Sequence, residues 1–295
     1  MAKRKSKRQK AIVRRNVFLL ICGLVIVAVI VGAVAGINAI LPDTDNNSSS
    51  QGDTSSGNNT SGNTSSDIVS TPEKKDDYDP QNKQMIDVNG VMLDANFRRV
   101  LLVNGENPLP EDYDKNIRAY LQKVEAKYRN NNYVTDLHKD IIPYVNAMVQ
   151  KAHDDGVDLR VWSPFRSYAI QKDLFQKQVK KQEEQGLSGE AAENKAATVV
   201  ARPGTSEHNT GLCADFNMAS SKFETTEMFT WMCENAEDYG FILRYPKEKL
   251  EITGVIYESW HWRFVGINTA KEMNKLGMTL EEYVEYKEID WKSEL

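Results

Sequence analysis

The longest apolar stretch of the chain runs from Val17 to Ile37 and contains no charged residue. A helix of about 20 apolar residues is long enough to cross the roughly 30 Å hydrocarbon core of a bilayer. The pattern therefore predicts a transmembrane helix, a signal anchor, over residues 17–41. A cleaved signal peptide is the alternative, because residues 33–35 (AVA) are similar to a cleavage site, although signal-peptide apolar regions usually span only about 7–15 residues.

Charges on the two sides of this apolar segment predict its orientation. Residues 1–16 carry eight basic side chains and no acidic one, whereas Asp43 and Asp45 follow the segment. Under the positive-inside rule, residues 1–16 form a cytoplasmic tail and the chain after the segment lies outside the cell.

Residues 42–83 have the composition of a linker. From residue 43 to residue 70 almost every side chain is Ser, Thr, Asn, Gly or Asp, which leaves nothing to bury in a core. We expect this segment to be disordered, with an r.m.s. span of ~35 Å. It would hold the following domain away from the bilayer.

The remaining residues, 84–295, suffice for one domain with a sizeable core. Apolar residues recur at intervals of three and four from Thr135 to Ala152, which predicts an amphipathic helix. Further predicted helices are 168–185, 188–200, 226–239 and 280–288, the last with a solvated acidic face, and predicted strands are 157–162, 241–245 and 257–265. This irregular alternation of helices with a few short strands predicts an α+β fold.

Composition narrows the classes of function. After residue 42 the chain has 29 basic and 42 acidic residues, a net charge of −13. Such a domain would repel phosphate, which argues against nucleic-acid binding. The three cysteines, Cys22, Cys213 and Cys233, are too few for a disulfide scaffold, and a single Cys213–Cys233 disulfide stays open.

The four histidines fall into two pairs. His138 and His153 lie on the first predicted helix, where we interpret both as exposed side chains, with His153 favourably placed near the C-terminal end. His208 and His261 instead lie beside carboxylates, in the segments SEHNTGLCAD (206–215) and ESWHW (258–262). Only the second pair has surroundings suited to metal chemistry.

His208, His261 and Asp215 could together bind a zinc ion. Two imidazoles and one carboxylate leave a position of a tetrahedral site open for water, as catalytic zinc requires. Gly211, between His208 and Asp215, would let the chain bend so that both side chains point into one space.

Glu258 is the candidate base that takes the proton from the attacking water. Its spacing from His261 raises an objection, because residues three apart in an ideal strand point to opposite faces. The two could share a site only across a bulge or turn. The alternative is that both are surface residues of an amphipathic strand whose aromatic residues face the core.

Four ordered blocks between residues 98 and 266 resemble one family. The segments 206–215 and 258–261 are similar to the paired signature S-x-H-x-x-G-x-x-x-D and E-x-W-H of the VanY-type D-alanyl-D-alanine carboxypeptidases, which include the LdcB-type L,D-carboxypeptidases. Residues 163–171 resemble the family's G-Y-R-S-x-x-x-Q helix start, and residues 101–110 resemble its L-V-N-K-x-x-P-L-P segment.

The resemblance implies a role for each matching residue. His208, Asp215 and His261 would bind one zinc ion, and Glu258 would be the general base. Arg166 would stabilise the developing oxyanion or hold substrate, which suits the forked donors of a guanidinium. The substrate or second-layer contacts would be Ser206 and Gln171.

Two positions depart from the family pattern. Pro164-Phe165 replaces the usual Gly-Tyr before Arg166, which could alter the rim of the pocket. Cys213 stands where a small alanine is common, and we interpret it as a small buried residue.

The resemblance implies a single compact zinc-peptidase domain of the D-Ala-D-Ala carboxypeptidase and hedgehog-like type, a small antiparallel sheet flanked by helices. The expected function is a membrane-tethered zinc carboxypeptidase that removes the terminal D-alanine from peptidoglycan stem peptides, outside a cell that is expected to be Gram-positive. A zinc endopeptidase of the stem or cross-bridge and a non-catalytic wall-binding module are the alternatives. The choice between D,D- and L,D-specificity stays open.

Overall fold

A computed structural model describes residues 75–130, 133 and 135–295 of the chain, all within one compact unit that spans Val69–Leu295. The predicted cytoplasmic tail (1–16), the predicted transmembrane helix (17–41) and most of the predicted linker (42–83) lie outside the described residues. Within the described part, no helix combines the length and apolar character needed to cross a bilayer.

The described residues form short strands and mostly short helices, as the predicted α+β class requires. The strands are β1 (Met85–Val88), β2 (Val91–Asp94), β3 (Leu121–Lys123), β4 (Asp136–His138), β5 (Val161–Ser163), β6 (Cys213–Phe216), β7 (Phe241–Leu243) and β8 (His261–Phe264). The α-helices are α1 (Tyr113–Asn116), α2 (Ile142–Asp154), α3 (Tyr168–Glu184), α4 (Gly189–Ala197), α5 (Glu227–Asn235), α6 (Leu250–Thr253), α7 (Ile267–Leu276) and α8 (Leu280–Tyr286).

The central element is a four-stranded sheet with the strand order β5-β6-β8-β7, in which every neighbouring pair is antiparallel. Strand β6 is buried along its whole length, and so is β8. Two further antiparallel pairs, β1-β2 and β3-β4, form separate two-stranded sheets. Strands β6 and β8 therefore lie inside the domain, and the loops at their ends can contribute residues to a site.

The helix predicted from Thr135 to Ala152 is wrong in its first third. Residues 136–138 form β4, which pairs with β3, and a short 3₁₀ turn precedes α2 at Ile142. Pro143 lies in the first turn of α2, where its missing N–H costs no hydrogen bond. The backbone N–H of His138 donates instead to the Gly211 carbonyl, so tertiary pairing overrides the helical pattern.

His138 is therefore not an exposed helical residue. Its side chain is buried in β4, and its ring stacks on Tyr120 with the centroids 5.7 Å apart. Burial lowers the pKa of His138 to about 4, so its imidazole is neutral at pH 7. His153 does lie near the C-terminal end of α2, but it is half-buried instead of exposed, and one of its ring nitrogens is 2.8 Å from the Leu159 carbonyl.

The other predicted elements are found with shorter bounds, except the strand predicted over 157–162, which is shifted to Val161–Ser163. Helices α3, α4 and α5 match their predictions, and a 3₁₀ turn extends α5 to Gly240, where φ is +82°. The C-terminal helix α8 is more than a solvated face, because Leu280, Tyr283 and Val284 are buried in a second apolar cluster. The Cys213–Cys233 disulfide that the sequence left open does not form, since both thiols are free.

The main core packs α2 and α5 against the central sheet. Its most buried members include Leu137, Met148, Phe216, Phe241 and Phe264. Burial of an aliphatic or aromatic side chain contributes roughly 1.5–3 kcal/mol each, so this cluster supplies the rigid support for the sheet. Two fully buried arginines, Arg244 and Arg263, interrupt the apolar interior next to the histidines described below.

Candidate metal centre

Strand pairing brings Asp215 and His261 together. In the β6-β8 ladder these residues are direct cross-strand partners, so their side chains leave the same face of the sheet. Asp215 Oδ1 lies 3.2 Å from His261 Nδ1. The sequence separation of 46 residues is closed entirely by this register.

His208 reaches the same point from the 3₁₀ turn Glu207–Thr210 that precedes β6. Gly211 ends this turn with φ of +68°, and a Cβ there would lie 2.9 Å from the backbone nitrogen of His138. Only glycine fits both the conformation and the space. The turn places His208 Nε2 3.4 Å from Asp215 Oδ1.

The ring of His208 is held in one orientation. Its Nδ1 lies 2.7 Å from the Pro164 carbonyl, which can only accept, so Nδ1 carries a proton and Nε2 is the ring nitrogen left to bind a metal. His208 Nε2 is buried and has no hydrogen-bond partner in the described part of the chain. An orphaned, buried imidazole lone pair is costly unless a further group binds it.

Metal binding accounts for this orphaned atom. His208 Nε2, Asp215 Oδ1 and His261 Nδ1 are two nitrogen donors and one oxygen donor of the types that zinc prefers, and all three residues are buried. His208, Cys213 and His261 have ligand atoms within 4.8 Å of one another, and so do Asp215, Glu258 and His261. The residues present therefore fit a zinc ion.

The carboxylate of Asp215 is ionised in this setting. Burial alone would raise the pKa of Asp215, but the imidazoles of His208 and His261 outweigh that effect and hold the pKa well below its usual range. Arg166 adds a cation 3.8 Å from Asp215 Oδ2. The group is thus available as an anionic ligand at any pH at which the domain is expected to work.

Glu258 shares the site because it does not belong to the strand. Strand β8 begins only at His261, and the His261 N–H donates to the Glu258 carbonyl across a turn. This turn removes the objection from strand geometry and leaves Glu258 Oε2 3.8 Å from His261 Nδ1. Burial raises the pKa of Glu258 to about 7, the range that suits a general base.

Arg166 is anchored beside the three candidate ligands. Its backbone N–H donates to the His208 carbonyl at 3.0 Å, and its Nη1 donates to Gln171 Oε1 at 3.1 Å. Gln171 is buried and donates through Nε2 to the Ala201 carbonyl. The structure thus places Gln171 behind Arg166, where it orients the guanidinium.

Ser206 is also buried, at the N-terminus of the 3₁₀ turn that carries His208. Its carbonyl accepts a hydrogen bond from the Asn209 N–H at 3.0 Å. Asn209 was not singled out from the sequence, yet its Nδ2 donates to the Arg166 carbonyl at 2.6 Å. Ser206 and Asn209 therefore help to fix the turn against the segment that carries Arg166.

Glu207 is the main site residue that the sequence analysis missed. Its Oε2 lies 3.5 Å from His261 Nε2, on the side of the ring opposite Asp215. Its Oε1 accepts from Arg244 Nε and from Arg263 Nη1, both at 2.7 Å. A carboxylate behind a metal-binding imidazole fixes the tautomer and leaves Nδ1 free as the ligand atom.

One sequence signal could have revealed this second layer. Arg263 follows His261 by two residues in one strand, and alternate residues of a strand point to the same face. Arg263 must therefore share the face of His261. A buried arginine requires a buried anion. Glu207, next to a candidate ligand, was the available partner.

The chain is similar to a family model and to proteins of known activity. A family model described as "VanY: D-alanyl-D-alanine carboxypeptidase" matches residues 134–267. A D-alanyl-D-alanine carboxypeptidase of Enterococcus faecalis is 37% identical over 185 residues, which are 63% of this chain and 65% of that protein. The matched part thus spans somewhat less than two thirds of that relative.

Two solved structures share the fold. The vancomycin resistance D,D-pentapeptidase VanY, solved as a variant in complex with Zn(II), is 36% identical, with a TM-score of 0.52, over 63% of this chain and 98% of that chain. The LdcB LD-carboxypeptidase is 32% identical, also with a TM-score of 0.52, over 69% of this chain and 94% of that chain.

Proposed function

Since the chain belongs to the VanY family of D-alanyl-D-alanine carboxypeptidases, we propose that it is a zinc-dependent carboxypeptidase that removes the C-terminal D-alanine from peptidoglycan stem peptides. One observation carries this proposal. The buried His208 Nε2 has no hydrogen-bond partner among the residues that the structure describes and faces Asp215, with His261 and the raised-pKa carboxyl of Glu258 beside it. No structural role alone would gather these groups.

His208 Nε2, Asp215 Oδ1 and His261 Nδ1 would hold the zinc ion. When bound, zinc supplies a Lewis acid that lowers the pKa of a water toward 7 and polarises a carbonyl oxygen. The protein fixes the three donors before the metal arrives: Pro164 orients one imidazole, Glu207 orients the other, and the β6-β8 register positions the carboxylate.

Glu258 would move the proton. Its carboxylate accepts a proton from the attacking water and then delivers it to the amine of the leaving D-alanine. A base with a pKa of about 7 is ionised enough to accept this proton at neutral pH and acidic enough afterwards to return it. Burial of the side chain, which raises the pKa, is therefore part of the mechanism.

Arg166 would bind negative charge on the substrate. Its guanidinium is held by Gln171 and lies within 4 Å of Asp215, next to the donor atoms. Its forked donors suit either the developing oxyanion or the free carboxylate of the terminal D-alanine. A fixed cation of this kind favours a carboxypeptidase over an endopeptidase, whose substrate has no free carboxylate at the cleavage point.

The proposed location follows from the N-terminal sequence. Residues 17–41 would anchor the protein as a single transmembrane helix, and residues 42–83 would tether the domain outside the cell, within reach of the wall. The Ser- and Asn-rich tether and the single membrane fit a Gram-positive bacterium. The uncharged length of residues 17–37 supports this placement.

Hydrolysis of defined peptides tests the function. The full chain is incubated with muropeptides that end in D-Ala-D-Ala and in Lys-D-Ala, with zinc and then with a chelator, and the products are weighed by mass spectrometry. We expect loss of one alanine from a peptide, abolished by the chelator. The substrate that reacts distinguishes D,D- from L,D-activity.

Two other outcomes would contradict the proposal. Cleavage inside the stem or cross-bridge would indicate an endopeptidase. Bound zinc with no hydrolysis of any muropeptide would indicate a wall-binding module.

A further inference from the structure

Cys213 lies on the same face of the sheet as the candidate ligands. In β6 it precedes Asp215 by two residues, and alternate residues of a strand point to the same face. Its cross-strand partner is Arg263, just as the partner of Asp215 is His261. The thiol is fully buried, so it faces the histidines and not solvent.

Both candidate imidazoles lie near this thiol. The ligand atoms of His208, Cys213 and His261 all lie within 4.8 Å of one another. One of these atoms, His208 Nε2, is buried and has no hydrogen-bond partner within residues 75–130, 133 and 135–295. A thiol near two imidazoles, one of which has an unpartnered ring nitrogen, has the composition of a soft metal site.

We propose that Cys213 binds the metal as a ligand of this centre, so that a sulfur donor joins the imidazoles of His208 and His261 and the carboxylate of Asp215. The inference rests on the proposed metal site but not on the proposed reaction. The thiol loses its proton to solvent when the metal binds. Zinc sites can expand from four ligands to five, so a sulfur donor does not by itself close the centre to substrate.

A sulfur ligand changes which metals the centre prefers. Thiolate is a soft donor, whereas carboxylate and water are hard donors. A centre with Cys213 would hold zinc and especially cadmium more tightly than the same centre with alanine at this position. Most of the remaining coordination would be unchanged, because His208, Asp215 and His261 are positioned by other contacts.

Cobalt substitution tests the sulfur ligand without any reference to activity. Co²⁺ is added to the metal-free full chain, and the absorption spectrum is recorded from the near ultraviolet to the visible. A thiolate ligand gives an intense near-ultraviolet charge-transfer band, whereas nitrogen and oxygen ligands give only the weaker visible bands. We expect both sets of bands in the unaltered chain and only the visible bands in Cys213→Ala.

The controls separate the possible outcomes. Cys233→Ala removes a different free thiol and is expected to keep the charge-transfer band. Cys213→Ser retains the size of the side chain and provides the same test if the alanine variant folds poorly. A charge-transfer band that is missing from the unaltered chain, or equal in all variants, would overturn the sulfur ligand. Failure to bind cobalt at all would overturn the metal site itself, and this inference with it.

Metal affinity gives a second measurement. Competition with a chromophoric chelator is expected to show at least about 10-fold weaker zinc binding in Cys213→Ala, since loss of even an indirect partner of a ligand commonly costs that much. The loss is expected to be larger for cadmium than for zinc. Equal affinities for both metals in the two proteins would contradict the proposal.

Discussion

Two buried carboxylates flank the ring of His261, and they differ in almost every property. Glu207 Oε2 lies 3.5 Å from His261 Nε2, and Glu258 Oε2 lies 3.8 Å from His261 Nδ1. Glu207 belongs to a cluster with Arg244 and Arg263, which we call the arginine layer. Glu258 belongs with Asp215 and the histidines on what we call the metal face.

Neighbouring charge explains the difference. Burial would raise the pKa of both carboxyls, but two guanidinium groups at 2.7 Å hold the pKa of Glu207 far below its usual range. In the described part of the chain, Glu258 has no comparable ion pair with a guanidinium, and burial raises its pKa to about 7. Two buried carboxylates thus become a permanent anion in one place and a proton acceptor in the other.

The two regions have different roles. The arginine layer stabilises the fold and orients His261, and it requires no metal. Arg244 also donates to both carboxylate oxygens of Glu281 in α8, at 2.6 and 2.8 Å, which ties the C-terminal helix to the layer. The metal face would hold the zinc ion and the reacting groups of the proposed reaction. A change on the metal face should therefore lower activity, whereas a change in the arginine layer should lower the free energy of unfolding.

Metal removal should give the largest effect, and only on the metal face. With a strong chelator we expect loss of all measurable hydrolysis and full recovery after zinc is restored. The far-ultraviolet circular dichroism of the metal-free protein should match that of the loaded protein, because the arginine layer is held by its own ion pairs. Full activity in chelator would refute the metal-dependent mechanism.

Glu258→Gln should lower kcat by about 10²–10⁴-fold, the usual contribution of a general base. Glutamine keeps the size of the side chain, and the three candidate ligands are untouched, so zinc content measured by elemental analysis should stay at one ion per chain. Near-normal activity in this variant would show that Glu258 is not the base.

Glu207→Gln should instead reduce stability, by about 3–5 kcal/mol in the free energy of unfolding, because it leaves Arg244 and Arg263 buried without their shared anion. Urea denaturation of the metal-free proteins measures this loss. Glu281→Gln is the matched control, since Glu281 pairs with the same arginine from a less buried position and should cost less. Equal losses in the two variants would contradict the central place of Glu207.

The pH profile should give the smallest effect. A base must be ionised to accept a proton, so kcat/KM should fall as the pH drops through about 7, by up to tenfold per pH unit. The pKa of Glu207 is lowered, so this carboxyl stays ionised and adds no break to the profile in that range. A flat profile between pH 5.5 and 7.5 would argue against titration of Glu258 in the reaction.

The residues of the metal face could be predicted from the sequence, whereas the backbone geometry and partners that hold them in place could not. His208, Asp215, His261 and Glu258 fall in short motifs, and the structure brings all four together. The sequence indicated that Glu258 could join the site only across a bulge or turn. It did not show that such a turn exists, because a single sequence does not reveal where a strand begins.

Two long-range pairings could not be predicted from the sequence. His138 has a helical pattern around it, but its N–H pairs with Gly211, 73 residues away by the chain numbering, and β4 forms instead. Glu207 has ordinary neighbours in sequence, and its role depends on two arginines that follow it by 37 and 56 residues. Local pattern carries no information about such partners.

A crystal structure of the zinc-loaded protein, with anomalous data collected at the zinc absorption edge, tests the metal centre most directly. We predict one anomalous peak at bonding distance, about 2.0–2.3 Å, from His208 Nε2, Asp215 Oδ1 and His261 Nδ1, with Glu258 beside the metal and Glu207 behind His261. A peak at another place, or no peak at these three residues in protein that is active, would contradict it.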